Sequence, residues 1–427
     1  MNILHLAAHL GGGLGSAFAG LGDCGLAQTI ILLEKPIDES GPAKAAAAGF
    51  KILIQPNPKR IAAEMARAEA VIFNWTHHPA LTALMLELPA VPIRAILWCH
   101  VSGNYFPHLS PEFLKKFSQV LVATPYSLSL GQIRELGQAY LEEHFGVVYG
   151  LGDLRRFARV EKKPHPKFVV GYVGTLGFGK LHPDFVEFCA AVDIPEAEFR
   201  LAGAASTRAE ILAAAEKKGL ADRFVFHGQV ADVPSFLSQV DVFGYLLNPR
   251  HFGATENALL EAMAAGLPVV ALNQAVERVV IRPGETGLLV DSPAAYGRAV
   301  RRLYEDTPLA QSLGRAARGA ALRTYDIQAN RTRFVAHCRK ALSWPKMALS
   351  FRDFFGPTPA DWFLSCVDSE RDCFLENRAH QAGLIFREPT KSSPRHYQAY
   401  FPKDGRLALW AGQLIMPGAS NTPAESC

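Results

Sequence analysis

Residues 247–271 read LNPRHFGATENALLEAMAAGLPVVA, and this order predicts a loop, then a helix, then a buried strand. We predict that Thr255 caps the helix, because a threonine hydroxyl accepts hydrogen bonds from free N–H groups, and that Gly266 ends it. Glu256 then lies in the first turn and Glu261 a turn and a half later, where carboxylates can bind vicinal hydroxyls of a ribose or hexose. In a purely structural interpretation, Glu256 only stabilises the helix dipole.

Short apolar runs alternate with helical patterns on both sides of this segment, through residue 340. The predicted strands are residues 2–7, 29–33, 51–54, 70–73, 95–98, 120–123 and 147–149, then 168–173, 198–201, 224–227, 240–245, 268–272 and 288–290. The predicted helices include residues 60–67, 184–191, 209–217 and 259–265. Such alternation indicates parallel, doubly wound sheets that are buried on both faces. We therefore predict an α/β protein with two Rossmann-like halves facing a cleft, where ligands bind at the carboxyl ends of the strands.

Breaks in this pattern divide the chain into four parts. Residues 1–157 form the first domain, and the polar, proline-containing segment 158–167 is the linker. Residues 168–343 form the second domain. Residues 344–427 are rich in proline and aromatic residues, so we predict an extension that packs on the body, with the last dozen residues disordered.

The composition is that of a globular α/β protein, with 427 residues of which 49% are hydrophobic and 20% charged. Seven scattered cysteines form no CxxC pair and no zinc-ligand spacing, which indicates free thiols in a reducing compartment. The N-terminus has no basic segment before its apolar run, and no run approaches the roughly 18 apolar residues of a membrane span. We therefore expect a cytoplasmic protein.

The formal net charge of +4 is too small to indicate nucleic-acid binding. Basic residues are nevertheless concentrated near the end of the second domain: Arg298, Arg301, Arg302, Arg315, Arg318, Arg323, Arg331, Arg333, Arg339 and Lys340. A solvated helix face is the ordinary interpretation of such a run. Weak peripheral contact with an anionic membrane or a polyanionic acceptor is the alternative.

A glycine-rich loop, HLGGGLGS at residues 9–16, follows the first predicted strand. Gly12 and Gly13 allow backbone N–H groups at a helix start to approach an anion closely. A dinucleotide site is a competing interpretation, because Glu34 closes the second strand about 20 residues further on. The glycines, however, do not form GxGxxG. A structural tight turn is the other alternative.

A second glycine-rich loop, GYVGTLGFGKLHP at residues 171–183, opens the second half. Pro183 is predicted to lie in the first turn of the following helix. Lys180 lies in a flexible loop at the carboxyl end of a strand, where an ammonium group can neutralise a diphosphate. An ordinary surface lysine is the alternative.

These segments resemble the retaining glycosyltransferases of family 4, which have the GT-B fold, over residues 1–340. ENALLEAMAAGLPVVA is similar to the family's donor-binding signature, which implies that Gly253, Thr255, Asn257 and Glu261 bind the donor. GTLGFGK resembles its diphosphate loop, and Gly12 and Gly13 resemble its N-terminal glycine pair. His100 resembles the histidine that ends a first-domain strand beside the transferred sugar.

The sequence departs from the family pattern at two places. The family has two glutamates eight residues apart, but Gly253 stands eight residues before Glu261. Glu256 is our candidate replacement, with contact through backbone amides as the alternative. Thr175 replaces the basic residue of the diphosphate loop, which leaves Lys180 as the main cation.

The resemblance implies that a sugar moves from a nucleoside-diphosphate donor to a hydroxyl of a glycan or lipid-linked acceptor. It further implies retention of anomeric configuration and no metal or other cofactor. The first domain would bind the acceptor and the second the nucleotide sugar. Lys180, the helix N-terminus at Thr255 and the amides of Gly12 and Gly13 would stabilise the departing diphosphate.

Three further expectations concern the ligand. Glu261 would hold the ribose, and His100 would contact the sugar or the acceptor hydroxyl, with a buried structural histidine as the alternative. The nucleobase would lie near Gly228 and Val230, at the end of a strand bordering the same cleft. Two rival functions are a catalytically inactive GT-B-like protein that binds sugar nucleotides and a nicotinamide-dependent oxidoreductase.

Overall fold

The computed structural model describes residues 1–414, except for the side chains of Asp353 and Phe354. Its α-helices are α1 Gly12–Leu21, α2 Ser40–Ala47, α3 Pro58–Arg67, α4 Pro79–Leu86, α5 Pro111–Leu114, α6 Gly131–Arg134, α7 Gln138–His144, α8 Phe185–Ala190, α9 Arg208–Glu216, α10 Val233–Leu237, α11 Asn257–Ala264, α12 Glu277–Val280, α13 Pro293–Glu305, α14 Thr307–Thr324, α15 Ile327–Ala341, α16 Arg352–Phe355, α17 Pro359–Ser365, α18 Arg371–Leu375, α19 Pro394–Tyr400 and α20 Gly405–Gln413. The disorder predicted for the last dozen residues lies outside the described residues.

The described chain divides into two compact units. The first comprises Met1–Gly152, Phe252–Thr255 and the chain from Ile327 onward, and the second comprises Asp153–His251 and Glu256–Asp326. These limits differ from the predicted boundaries, since the second unit begins before the predicted linker and α15 belongs to the first unit. Only Tyr325 and Asp326 separate α14 from α15, so the sequence contains no long break that would mark this return.

Within residues 1–414, the first unit contains a parallel sheet of seven strands in the order β3-β2-β1-β4-β5-β6-β7. The strands are β1 Asn2–Ala7, β2 Ala27–Leu32, β3 Lys51–Ile54, β4 Ala70–Trp75, β5 Ala95–Cys99, β6 Gln119–Val122 and β7 Phe145–Val147. In the register of this sheet, Ile3 of β1 pairs with Gln28 of β2 and with Ala70 of β4. The direction of strand order therefore reverses between β1 and β4.

The second unit contains a parallel sheet of six strands, counted over the described residues, in the order β10-β9-β8-β11-β12-β13. The strands are β8 Val169–Val173, β9 Glu198–Ala202, β10 Phe224–Gly228, β11 Val242–Tyr245, β12 Val269–Leu272 and β13 Leu288–Val290. The strand order reverses between β8 and β11. The prediction of two doubly wound parallel sheets is confirmed.

Each face of the first sheet is covered by a different set of elements. On one face, Phe18 of α1 and Phe334 of α15 pack against Trp98, and all three side chains are buried. On the other face, the C-terminal extension covers β4 and β5, with Trp362 packed beside Trp75. Apolar strands of this kind are stable only when both faces are covered, which explains why the extension is integral to the first unit.

The extension is joined to the first unit by polar contacts as well. Arg94 donates from Nε to the carbonyl of Trp344 at 2.7 Å, and Ile93 forms an antiparallel bridge with Met347. The hydroxyls of Thr82 and Tyr397 lie 2.8 Å apart in a buried setting. Residues 344–414 thus form part of the first unit's core.

The basic residues near the end of the second domain lie on three helices, α13, α14 and α15, and some of them bind neighbouring groups. Arg301 pairs with Glu305 at 2.8 Å, and Arg318 donates to the carbonyl of Ala265 at 2.6 Å. Arg331 donates to the carbonyl of Gly20 at 2.7 Å. Weak contact with an anionic membrane stays a prediction. None of the helices within residues 1–414 combines the length and apolar character needed to span a bilayer.

Candidate functional site

Charged side chains converge at the carboxyl edge of the second sheet, where the strand order reverses. Lys180 follows β8, Tyr245 ends β11, and Glu277 begins α12 after β12. Because β8, β11 and β12 are neighbours, the residues that follow them lie at one edge. The switch point of a doubly wound sheet is the usual place for a ligand.

The loop that carries Lys180 is hydrogen-bonded to the loop that follows β11. Asn248 donates its backbone N–H to the carbonyl of Lys180 at 2.7 Å, and its side chain donates to the carbonyl of Phe178 at 2.7 Å. Leu181 forms an antiparallel bridge with Leu247. The following helix α8 begins at Phe185, so Pro183 lies outside it, contrary to the prediction. Lys180 is therefore held by the loop that follows β11.

Lys180 forms an ion pair with the buried carboxylate of Glu256. Nζ lies 3.6 Å from Oε2, with side-chain exposures of 23% for the lysine and 1% for the glutamate. The hydroxyl of Tyr245 donates to the same Oε2. Because the Lys180 side chain is partly exposed, its ammonium group can contact a ligand while it remains paired with the buried carboxylate of Glu256.

Glu256 does not lie in the first turn of α11, as the sequence analysis predicted. It is the N-cap residue, with φ of 52° in the left-handed region, and its side chain makes no capping bond. This conformation costs a non-glycine residue on the order of 1–3 kcal/mol and persists only where the surroundings impose it. The contacts with Lys180 and Tyr245 are such a constraint.

His251 and Glu277 extend the network into the interior of the second unit. Nδ1 of His251 lies 3.7 Å from Glu256 and its Nε2 lies 3.3 Å from Glu277. Burial alone lowers the pKa of His251, but the hydrogen bond to Glu277 and the charges of both glutamates raise it above its ordinary value. His251 can therefore carry the positive charge that balances Glu277.

The ionisation of Glu256 follows from the same contacts. Burial alone raises the pKa of Glu256, but the charges of Lys180 and His251 lower it below its ordinary value. Burial, and then the charge of Glu256, raise the pKa of Tyr245, so the phenol stays protonated and donates. The Tyr245 hydroxyl satisfies Oε2 of Glu256, but Oε1 is buried without a hydrogen-bond partner among the described residues, so the carboxylate depends on the nearby charges of Lys180 and His251.

Thr255 is not the N-cap of α11, so this prediction is wrong. Its hydroxyl accepts from the N–H of Gly150 at 3.0 Å and donates to the carbonyl of Ala123 at 2.9 Å. All three residues belong to the first unit. The threonine side chain is used in these contacts because Glu256, in the left-handed conformation, separates it from the helix.

The other predicted donor-binding residues of the second half lie around the same sheet edge or on α11. Glu261 lies on α11, with Oε1 3.7 Å from Arg156. The carbonyl of Thr175 accepts from the hydroxyl of Tyr172 at 3.2 Å. The remaining positions are Gly228 at the end of β10 with φ of 63°, Val230 just after it, Gly253 in the loop before α11, and Asn257 as the first residue of α11.

Two predicted elements of the site lie in the first unit. Gly12, with φ of 56°, and Gly13 are the first two residues of α1, which follows β1. His100 follows β5, where its Nε2 lies 3.3 Å from Oδ1 of Asn74, and Asn74 donates to the carbonyl of Leu6 at 3.1 Å. An amide oxygen only accepts, so Nε2 carries the proton. Burial lowers the pKa of His100 to about 3, so the ring is neutral.

Sequence reasoning missed Tyr245, His251 and Glu277. Tyr245 looks like an ordinary strand residue, and Glu277 looks like a first-turn helix acid. Their positions in the chain could have identified them. Tyr245 ends β11, His251 follows it, and Glu277 follows the neighbouring strand β12, so all three lie at the carboxyl edge of the sheet, where ligands bind. The αL conformation of Glu256 could not be foreseen, because the sequence ATENALLEAM is equally compatible with a helix that starts at Thr255.

Comparison with known proteins shows similarity to glycosyltransferases over part of the chain. Residues 155–320 match the model of the family described as glycosyl transferases group 1, a span that contains the whole charged network. The chain is 35% identical over 133 residues to the 2-deoxystreptamine N-acetyl-D-glucosaminyltransferase of Streptomyces fradiae, which is 28% of this chain and 31% of that protein. It is 33% identical over 122 residues to the lipopolysaccharide core biosynthesis glycosyltransferase LpsE of Rhizobium meliloti, covering 28% and 35% of the two chains.

The matches thus span about a third of these relatives' own lengths, and they support the glycosyl transferases group 1 family for the second half. The fold is similar to that of Anabaena Alr3699/HepE, solved in complex with UDP and glucose. The TM-score is 0.63 at 17% identity, over 79% of this chain and 98% of that one. Two Rossmann-like parallel sheets with these structural relatives define the GT-B fold.

Proposed function

We propose that this protein transfers a sugar from a nucleoside-diphosphate donor to a hydroxyl of a glycan or lipid-linked acceptor. We further propose that the anomeric configuration is retained and that no metal ion takes part. The main support is the Lys180 ammonium, held at the switch point of the second sheet by the buried carboxylate of Glu256. Glycosyl transfer builds negative charge on the leaving diphosphate, and a fixed cation stabilises that charge without reorganisation.

Glu256 acts in this proposal as a positioning residue. Its side chain is 1% exposed and is engaged by Lys180 and Tyr245, which favours an anchoring role over the direct sugar contact inferred from sequence. Glu261, on the next turns of α11, is 15% exposed and is proposed to bind the ribose. The N-terminal amides of α11 and the residues Thr175, Gly228, Val230, Gly253 and Asn257 are proposed donor contacts.

The first unit supplies the acceptor side in this proposal. The neutral ring of His100 presents an unprotonated Nδ1, which lies near Gly150, where a Cβ atom would come within 3.2 Å of it. A glycine at position 150 therefore leaves room beside the ring nitrogen. We assign to His100 contact with the sugar or the acceptor hydroxyl, and to Gly12 and Gly13 contact with the diphosphate.

The test is turnover of isotopically labelled sugar nucleotides followed by NMR. UDP-, GDP- and ADP-sugars are each incubated with the protein, with and without oligosaccharide acceptors. We expect one donor to release its nucleoside diphosphate, and the new glycosidic bond to have the donor's anomeric configuration in the presence of EDTA. Binding without turnover of any donor would favour a catalytically inactive sugar-nucleotide-binding protein, and inversion would contradict the retaining mechanism.

A further inference from the structure

A second polar cluster lies in the first unit, at the carboxyl edge of its sheet. His9 follows β1, Glu34 follows β2 and His78 follows β4, and these strands are neighbours in the order β2-β1-β4. One nitrogen of each histidine and one carboxylate oxygen of Glu34 lie within 4.8 Å of one another. The strand order reverses here as well, so this edge is a favoured ligand position.

The C-terminal extension adds a third histidine to this cluster. The ring of His396, on α19, lies 4.6 Å from that of His78 and nearly perpendicular to it. The ring of His9 lies 5.3 Å from His78 on an edge contact. Tyr400, at the end of α19, lies 5.7 Å from His78. The cluster is therefore incomplete without the extension.

The three imidazole rings share one pattern of hydrogen bonding. Nδ1 accepts a backbone N–H in each: His9 from Gly11 at 3.0 Å, His78 from Ala80 at 3.2 Å, and His396 from Ser392 at 3.2 Å. A backbone N–H can only donate, so each Nδ1 presents a lone pair. Each neutral ring therefore carries its proton on Nε2.

This arrangement is the reverse of what a metal site needs. A histidine that binds a metal presents a lone pair to the ion and donates its other N–H to an acceptor. Here Nε2 carries the proton, and Nε2 of His78 lies 3.4 Å from Oε2 of Glu34. The cluster thus combines N–H donors with a carboxylate acceptor, and the Glu34 side chain, 25% exposed, is reachable from solvent.

The charges around the cluster favour an uncharged ligand. Glu34 contributes a carboxyl group, while burial and then the charge of Lys391 lower the pKa of His9. Burial raises the pKa of Glu34 to about 7, so this group is only partly ionised at neutral pH. An anion would meet its ionised fraction, and a cation would meet N–H donors. A hydroxyl group fits both kinds of partner, because it donates to a carboxylate and accepts from an imidazole N–H.

We propose that His9, Glu34, His78 and His396 bind vicinal hydroxyls of an uncharged sugar, with His396 supplied by the extension. The identification of this sugar as the acceptor of the transfer rests on the proposed function. The binding site itself does not, since it is defined by the first unit alone. In this proposal the C-terminal extension helps to determine which sugar binds, in addition to its role in the core of the first unit.

The test is saturation-transfer NMR of the full chain with the methyl α-glycosides of glucose, galactose, mannose and N-acetylglucosamine, in the absence of a nucleotide. We expect at least one glycoside to bind the unaltered protein. Glu34→Gln and His396→Ala should each weaken that affinity about tenfold or more, the usual effect of losing a charge-assisted or buried hydrogen bond. The matched controls are Glu39→Gln and His380→Ala, which alter exposed residues of the same types.

Three results would overturn the proposal. These are no binding of any of the four glycosides, equal affinity in the Glu34 variant and its control, or stoichiometric zinc binding that Glu34→Gln abolishes. Melting temperatures of all variants identify any that fail to fold. If one of Glu34→Gln and His396→Ala fails to fold, the glycoside affinity of the other variant decides whether the proposal holds. UDP, GDP and ADP binding are measured in the same samples. Failure of every nucleotide to bind would contradict the proposed function and leave the glycoside result standing.

Discussion

Lys180 and Glu256 constrain each other, and this pairing sets the chemistry of the second unit. The ammonium holds Glu256 ionised in a buried position, and the carboxylate holds the ammonium at the sheet edge. His251 and Tyr245 complete the shell around the carboxylate. The charges of Lys180 and His251 and the hydrogen bond from the neutral Tyr245 hydroxyl together keep Glu256 ionised, so the removal of one of them affects the carboxylate.

The two glutamates of the α11 region should therefore respond differently to substitution. Glu256→Gln removes the charge that positions Lys180, so turnover should fall about tenfold to a hundredfold, the effect of losing a charge-assisted hydrogen bond. Glu261→Gln should instead weaken binding of the donor and of the free nucleoside diphosphate alike. Calorimetric titration and steady-state rates separate the two. Unchanged turnover and melting temperature in Glu256→Gln would show that the network does not position Lys180.

Buried histidines of the first unit predict a loss of stability in acid. Burial lowers the pKa of His5 and His396 to about 4, of His77 and His100 to about 3, and of His78 to about 2. The folded chain therefore binds fewer protons than the unfolded chain below the ordinary pKa of 6.5. Stability is greatest above that pH and should fall as the pH drops from 6.5 towards 4. Each histidine contributes about 1.4 kcal/mol per pH unit.

Two groups act in the opposite direction. Burial raises the pKa of Glu34 to about 7, so its contribution is lost as the pH rises from 4.5 to 7. The pKa of His251 is raised too, so its contribution is lost above 6.5. These two groups are outnumbered by the five histidines, and the lowered pKa values of His9, His108 and His337 act in the same direction as those five, so the net effect in acid is a loss of stability. Melting temperatures measured from pH 4 to pH 8 test this, and a constant value below 6.5 would contradict it.

The start of helix α11 shows how one residue in the left-handed conformation alters an element. Glu256 turns the chain so that Thr255 points towards Gly150 and Ala123. Thr255→Val keeps the shape and removes both hydrogen bonds, so it should lower stability by about 1–3 kcal/mol. Thr332→Val, at an exposed position of α15, is the matched control. Equal melting temperatures of the two variants would contradict the assigned role of Thr255.

Periodicity predicted the strands well but the ends of helices poorly. The apolar run VVAL defines the fully buried strand β12, because buried parallel strands tolerate little else. The run KILI defines β3 at the edge of the first sheet, where Lys51 and Ile54 are exposed. The start of α11 was misplaced, since residue propensities do not distinguish Thr255 from Glu256 as the cap. The Lys180 loop was predicted in its correct position, but its hydrogen bonds with Asn248 were not predicted, because that residue is distant in sequence.

At the scale of the whole molecule, the extension is part of the first unit's core. A chain ending at residue 344 would expose Trp75 and lose Trp362, Phe363 and Trp410, and each buried aromatic contributes roughly 1.5–3 kcal/mol. This truncated chain should melt at a lower temperature or precipitate. A chain ending at Leu414 keeps every described residue and is the control. If the shorter chain matched it in melting temperature and solubility, the extension would not be part of the core.

The sequence alone could predict two Rossmann-like sheets and the Lys180 loop, because both depend on local patterns. The charged network and the histidine cluster could not be predicted in the same way. Each unites residues that follow three different strands, and the strand order brings these residues together. In the histidine cluster, the packing of α19 adds His396. The return of the chain to the first unit at Ile327 is likewise a property of tertiary packing.

The central claim is that Lys180 stabilises the diphosphate of a sugar-nucleotide donor. The most direct measurement compares Lys180→Ala with Lys217→Ala, an exposed lysine at the end of α9, in donor turnover and in binding of the free nucleoside diphosphate. We predict that Lys180→Ala lowers turnover by about a hundredfold to a thousandfold, as expected for one lost transition-state contact of about 3–4 kcal/mol. The variant should still fold, with a lower melting temperature, because the buried Glu256 carboxylate loses its ammonium partner. Lys217→Ala should behave like the unaltered protein. Equal turnover in the two variants would contradict the account.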